Sequence, residues 1–141
     1  MGLITGMDNH DIACVDVDIL YDFYVNTLGL TPAYEYVKED EWFAATAGAT
    51  TLYFFKGKGD HLPKAGPDIT QNRPGLESLA FLVDDLDEAI AALDGKVEWS
   101  GEAQKWEHPN GSWFYFRHFY DPEGNKLSLS EPHDIRAASA R

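Results

Sequence analysis

At 141 residues, 44% hydrophobic and 13% aromatic, the chain is long enough to bury the core of a single domain and too apolar for a disordered tail. Its 11 basic and 24 acidic residues leave a formal net charge of -13 with no basic stripe, which excludes nucleic acid as a partner. The field favours a cationic ligand, although solubility alone also accounts for an acidic surface. No run approaches the roughly 20 apolar residues of a membrane helix, so no membrane partner is expected. Met1 to Asn9 lacks a positive run and an apolar stretch, so no leader is expected. The single cysteine, Cys14, cannot form an internal disulfide, which fits a cytoplasmic protein.

His10 to Val15 reads as a short strand, followed by a helical stripe of Leu20, Phe23, Tyr24, Thr27 and Leu28. Gly29 stands where a helix end needs positive φ, and Pro32 prevents continuation. Three strands are predicted next, over 33–38, 41–46 and 50–55, each rich in aromatics, Ala or Thr. Residues 56–75 hold four Gly and three Pro, which predicts an irregular connection that also overhangs a pocket.

The opening then repeats, with a strand over 76–83 and a helical stripe of Leu86, Ala89, Ile90 and Leu93. Asp85 followed by Glu88 is a capping-box-like start. Further strands are predicted over 97–100, 104–107, 113–120 and 126–130, with turns at His108–Gly111 and Asp121–Gly124. The organisation is one domain, 1–141, of two β-α-β-β-β modules, 8–56 and 76–131, joined by a linker at 57–75 and followed by a tail at 132–141. An offset of 68 superposes the two openings, placing His10 on Ser78 and Asp16 on Asp84. Strand alternation then puts His10, Ile12 and Cys14 on one face, matching Ser78, Ala80 and Leu82. Leu79, Phe81 and Val83 form the more apolar face, assigned to the helices; the opposite face is assigned to the cavity.

The arrangement resembles the vicinal oxygen chelate superfamily of glyoxalases, bleomycin-resistance proteins, extradiol dioxygenases and fosfomycin-resistance enzymes. The matching stretches are His10-Asp11-Ile12-Ala13, Phe23-Tyr24, Leu28-Gly29-Leu30, Arg73-Pro74-Gly75-Leu76, Leu79 through Leu86 and Phe119 through Asn125. The resemblance implies an α+β fold in which two βαβββ modules form a cupped, partly closed mixed sheet, and a homodimer. It also implies four metal-ligand positions, which fall on His10, Tyr53, Ser78 and Ser128. Only His10 fits the usual ligand pattern, and two hydroxyls with a phenol are poor donors for a divalent ion. The expectation is therefore no metal and no cofactor, with an improvised His10–His118 site, joined by Cys14, as the exception.

Family geometry points Phe114, Phe116, His118 and Tyr120 into the cup with Tyr53 and Phe55, and leaves Trp113, Tyr115 and Phe119 as core. An aromatic cup with a few polar tips suits a flat organic ligand. His10 and His118 are the candidate proton-transfer groups, and Tyr53 and Ser78 could orient a ligand carbonyl or hydroxyl. His61 and His133 are assigned to a loop and a tail with no metal-ligating partner at ligand spacing, and His108 to a solvent-facing turn. Asp16, Asp18, Asp84 and Asp85 are explained by helix capping. Three functions follow: a binding protein that sequesters an aromatic or cationic natural product, as in antibiotic resistance; a metal-independent isomerase, cyclase or lyase; and a divergent metal-dependent glyoxalase or dioxygenase.

Overall fold

The computed structural model of the protein describes residues 2–133. The chain divides between Leu62 and Pro63, inside the glycine- and proline-rich connection, into two compact units. Each unit has its own mixed sheet, neither of them closed.

In the first unit the elements are β1 (Asn9–Cys14), α1 (Val17–Tyr21), β2 (Thr31–Pro32), β3 (Trp42–Ala47) and β4 (Thr50–Lys56). They form a sheet of order β1-β4-β3-β2, with β1 parallel to β4 and the other pairs antiparallel. Asp16 caps α1 by accepting from the Ile19 N–H at 3.1 Å. The helix then widens into a π-helical turn over Asp22–Thr27, where the Leu28 N–H reaches back to the Phe23 carbonyl at 2.9 Å. Gly29 follows with φ of +82°, a conformation that leaves a side chain strained. Under this helix Leu20, Tyr24, Leu52 and Phe54 are fully buried, and the Phe54 ring lies 4.4 Å from Phe43 and 4.5 Å from Tyr24.

The strand expected over 33–38 shrinks to Thr31–Pro32, with one more bond from the Ala33 N–H to Ala44. Tyr36 explains the loss. Its ring stacks on Tyr21 at 4.2 Å and its hydroxyl donates to Asp18 at 2.9 Å, which draws the chain off the sheet edge towards α1. Burial and that bond to Asp18 push the Tyr36 phenol up to about 12.

The second unit contains β5 (Leu79–Leu82), α2 (Leu86–Leu93), β6 (Glu98–Trp99), β7 (Gln104–Glu107), β8 (Trp113–Tyr120) and β9 (Lys126–His133). Its sheet order is β5-β9-β8-β6, and β7 continues β6 along the same edge of β8. Between β6 and β7 the chain bulges at Gly101, with φ of +140°, where the Arg117 side chain donates to its carbonyl at 2.8 Å. Asp85 caps α2 by accepting from the Glu88 N–H at 3.0 Å. At the turn between β8 and β9, Asp121 accepts from the Glu123 and Asn125 N–H groups, as an Asx turn does.

The strand expected from Leu76 begins only at Leu79, because the preceding residues are held elsewhere. Asn72 bonds both the N–H and the carbonyl of Gly66, and donates to Glu77 at 2.8 Å. Of the expected tail, Pro132 and His133 continue β9, and 134–141 lie outside the described residues. His133 is therefore no isolated tail residue: it stacks on Trp113 at 3.7 Å and pairs with Glu131 at 2.7 Å.

The helix starts correct the internal repeat. Val17 and Leu86, with caps Asp16 and Asp85, are 69 residues apart, so Asn9 corresponds to Ser78 and His10 to Leu79. Among the described residues, no helix is long and apolar enough to cross a membrane.

Phe54→Ala should cost about 3–5 kcal/mol, because it opens a cavity between two rings. Ile19→Ala, on a half-exposed helix position, should cost under about 0.5 kcal/mol. Urea unfolding of the two variants checks both, and equal losses would contradict this core.

Candidate functional site

In a parallel ladder, paired residues point to the same side of the sheet. In the first unit His10 pairs with Leu52 and Ile12 with Phe54, whereas Asp11 pairs with Tyr53 and Ala13 with Phe55. Leu52 and Phe54 are the residues buried under the helix. His10 thus lies on the helix-packed side, and the expected shared face of His10 and Tyr53 is corrected. The cause is the repeat offset: one residue of slip exchanges the two faces of a strand.

Tyr53 and Phe55 stand on the open side with two aromatics that sequence reasoning did not assign, Trp42 and Tyr34. Trp42 pairs across the ladder with Phe55. The rings of Trp42, Tyr53 and Phe55 run nearly parallel, with centroids 6.1–6.4 Å apart and interplanar angles of 4–20°. Tyr34 tilts against this triangle of rings, 5.8 Å from Trp42 and 6.5 Å from Tyr53. The Tyr53 phenol is pushed up, first by its hydrogen bond with Tyr34, then by partial burial and the negative field that includes Asp8 and Asp11. Asn9 shares this face and donates to Asp11 at 2.8 Å. Capping aspartates compared by position in both halves would have exposed the true register.

In the second unit the expected alternation holds. Leu79 pairs with Leu127 and Phe81 with Leu129 on the helix side, where Tyr115 donates to Asp87 of α2 at 3.1 Å. Trp113 and Phe119 share that parity, and Phe119 is fully buried. Phe114, Phe116, His118 and Tyr120 occupy the other side, opposite Pro132, Ser130, Ser128 and Lys126 respectively. His118 therefore faces Ser128 across the ladder, and Ser128 also pairs with Ala80. Ser78 is half-buried, just before β5.

This open side is graded along β8. At one end Trp106 lies 5.5 Å from Phe114. In the middle Phe116 meets His118 edge-on at 5.6 Å. At the other end comes a polar lock that sequence reasoning missed. The buried Lys126 ammonium binds Glu77 at 2.5 Å and the Gly66 carbonyl at 2.8 Å, and the Tyr120 hydroxyl donates to the Ala65 carbonyl while accepting from Ser100 at 2.9 Å. Residues 65–77 are thereby tied to the end of the sheet. The Lys126 bond holds the Glu77 carboxyl below its ordinary range. Burial, and secondarily the Lys126 charge, hold the His118 imidazole below its ordinary value, so it is neutral near pH 7.

The residues do not fit a divalent cation. His10 and Tyr53 lie on opposite sides of one sheet, and Ser78 and Ser128 offer hydroxyls. Among the described residues, no three His, Cys, Asp or Glu side chains are grouped so as to hold an ion. Cys14 is buried, with its Sγ 3.4 Å from the Phe55 carbonyl, as a small core residue.

Two β-α-β-β-β modules, each with a helix on one face of a mixed sheet and an aromatic open face on the other, define the class of duplicated-module proteins. Within that class, the chain belongs to the Glyoxalase/Bleomycin resistance protein/Dioxygenase superfamily, whose family model matches residues 6–129. Solved structures share the fold. An integron cassette protein of Vibrio cholerae is 23% identical with a TM-score of 0.66, covering 92% of this chain and 97% of its own. A lactoylglutathione lyase from Agrobacterium tumefaciens is 20% identical with a TM-score of 0.64, covering 92% and 95%. A glyoxalase/bleomycin resistance protein/dioxygenase from Alicyclobacillus acidocaldarius is 16% identical with a TM-score of 0.67, covering 93% and 94%. No curated protein matches the chain.

A lowered imidazole pKa means that the unfolded chain binds the proton more readily than the fold does. The stability gained from neutral His118 is present above about pH 6.5 and is lost as pH falls below it. Urea unfolding at pH 7.5 and 5.5 should show a smaller acid loss for His118→Gln than for the parent. Lys126→Met should cost about 3 kcal/mol by leaving Glu77 unpaired, and should raise the His118 midpoint read by NMR.

Proposed function

We propose that the protein binds a small, flat organic molecule against the open side of the second sheet. The observation that supports this reading is the order of side chains along β8 and β9: aromatic Phe114 and Phe116, then His118 opposite Ser128, ending at Tyr120, which is buried in the lock. Rings supply area for stacking, and the neighbouring polar tips orient the ligand's heteroatoms. Tyr53 and Phe55 offer a comparable aromatic surface on the first sheet. Sequestration of an aromatic or cationic natural product, as in antibiotic resistance, is the role this chemistry fits, with the protein acting as a homodimer.

A second reading draws on the neutral imidazole. His118 is a base in waiting at pH 7, suited to proton transfer in a metal-independent isomerase, cyclase or lyase. His10, on the side of Leu52 and Phe54, is left out of that step.

An NMR screen of flat aromatic carbonyl compounds should shift the resonances of Phe116 and His118, and Phe116→Ala should weaken binding about tenfold. Absence of any shift on β8 across the screen would sink the binding reading. His118→Ala then separates the two readings: a binder keeps its ligand with modest loss, whereas an enzyme keeps its ligand and loses turnover.

A further inference from the structure

The open side of the first sheet carries aromatics but no base. Strand residues of Tyr53's parity on β1, β3 and β4 include no Lys, Arg or His; their one charge is the Asp11 carboxylate. Lys56 lies on the other parity and pairs with Glu41 at 3.3 Å. Tyr34 and Phe55 are 56% and 42% exposed, more than packing alone requires of such large rings.

We propose that Trp42, Tyr53, Phe55 and Tyr34, with Asp11, form a recognition site for an organic cation of the quaternary or tertiary ammonium class. Ring faces carry negative potential, and a cation is attracted within about 6 Å of a ring centroid. The three centroids form a triangle with sides of 6.1–6.4 Å, so one trimethylammonium head reaches more than one ring. Tyr34 is tilted by 40° against Tyr53 and 59° against Trp42 and borders the triangle. Asp11 sits beside Tyr53 in the ladder and supplies the countercharge, oriented by the Asn9 amide at 2.8 Å. A neutral apolar occupant would use the rings but leave the Asp11 charge, which the neutral Asn9 amide only orients, without a countercharge. An anion would meet Asp11 and the net charge of -13. Charge complementarity thus selects the cation. The inference rests on the small-molecule reading and names the ligand class at the first sheet.

The test uses the whole chain and two probes of equal shape, choline and its uncharged isostere 3,3-dimethylbutan-1-ol, with the Trp42 indole N–H followed by NMR. Choline should shift that resonance and bind at least about fivefold more tightly than the isostere. Asp11→Asn should weaken choline severalfold while leaving the isostere unchanged, and Tyr53→Leu should weaken choline with the sheet intact by circular dichroism. Equal affinity for the two probes, no choline shift at Trp42, or unaltered choline binding in Asp11→Asn each overturns the inference. Aromatic carbonyl compounds that still shift Phe116 and His118 would show that this inference alone has failed.

Discussion

In each module the first strand lies parallel to the last, and this pairing governs the rest. It couples the helix-packed residues of one strand to those of the other, Leu52 to His10 and Leu127 to Leu79. The alternate residues are then committed to the open side. Because alternation has a period of two, no side chain can move between faces without dragging its whole strand. The helix enforces the choice, since Phe54 beneath Tyr24 and Leu127 beside buried Phe119 leave no room for a slip. Any chemistry available to this chain is chemistry of the residues so committed.

The lock at the end of the second sheet shows how a polar group can be buried without penalty dominating. Lys126 is nearly inaccessible, and an isolated ammonium there would carry a large uncompensated desolvation cost. Glu77 and the Gly66 carbonyl replace its water, and Asn72 in turn fixes both of those partners. The connection between the modules therefore contributes structure: residues 65–77 carry the acceptors that make a buried lysine tolerable. The same ammonium, with burial, favours uncharged His118. Structural and chemical roles meet in one side chain.

Much of this was legible in advance. Turn residues, glycines at helix ends and aspartate caps mark the elements because each has a local steric or hydrogen-bonding cause, as Gly29, Asp85 and Asp121 show. The open-side set on β8 was legible because an eight-residue strand leaves its alternation unambiguous. What failed depended on distant partners. Tyr36 leaves its strand for Tyr21 and Asp18, and no local pattern encodes that. His10 failed for a subtler reason: a repeat with an offset of 68 or 69 looks equally good in apolar residues, and only the helix caps distinguish them. Lys126 and Glu77 were invisible because 49 residues separate them and neither stands in a motif.

The two open faces differ in electrostatics despite their common frame. The first presents rings beside a carboxylate and no base. The second presents rings beside an uncharged imidazole and a serine, with its ammonium already neutralised by Glu77. A duplicated module that kept one chemistry would show matching side chains at matching positions. Here Asn9 corresponds to Ser78, and Asp11 to Ala80. The helix-side residues of both modules make the frame, while the open-side residues differ between the modules. One frame can therefore carry different chemistry on its open faces, even where, as at Lys126, part of such a face is itself structural.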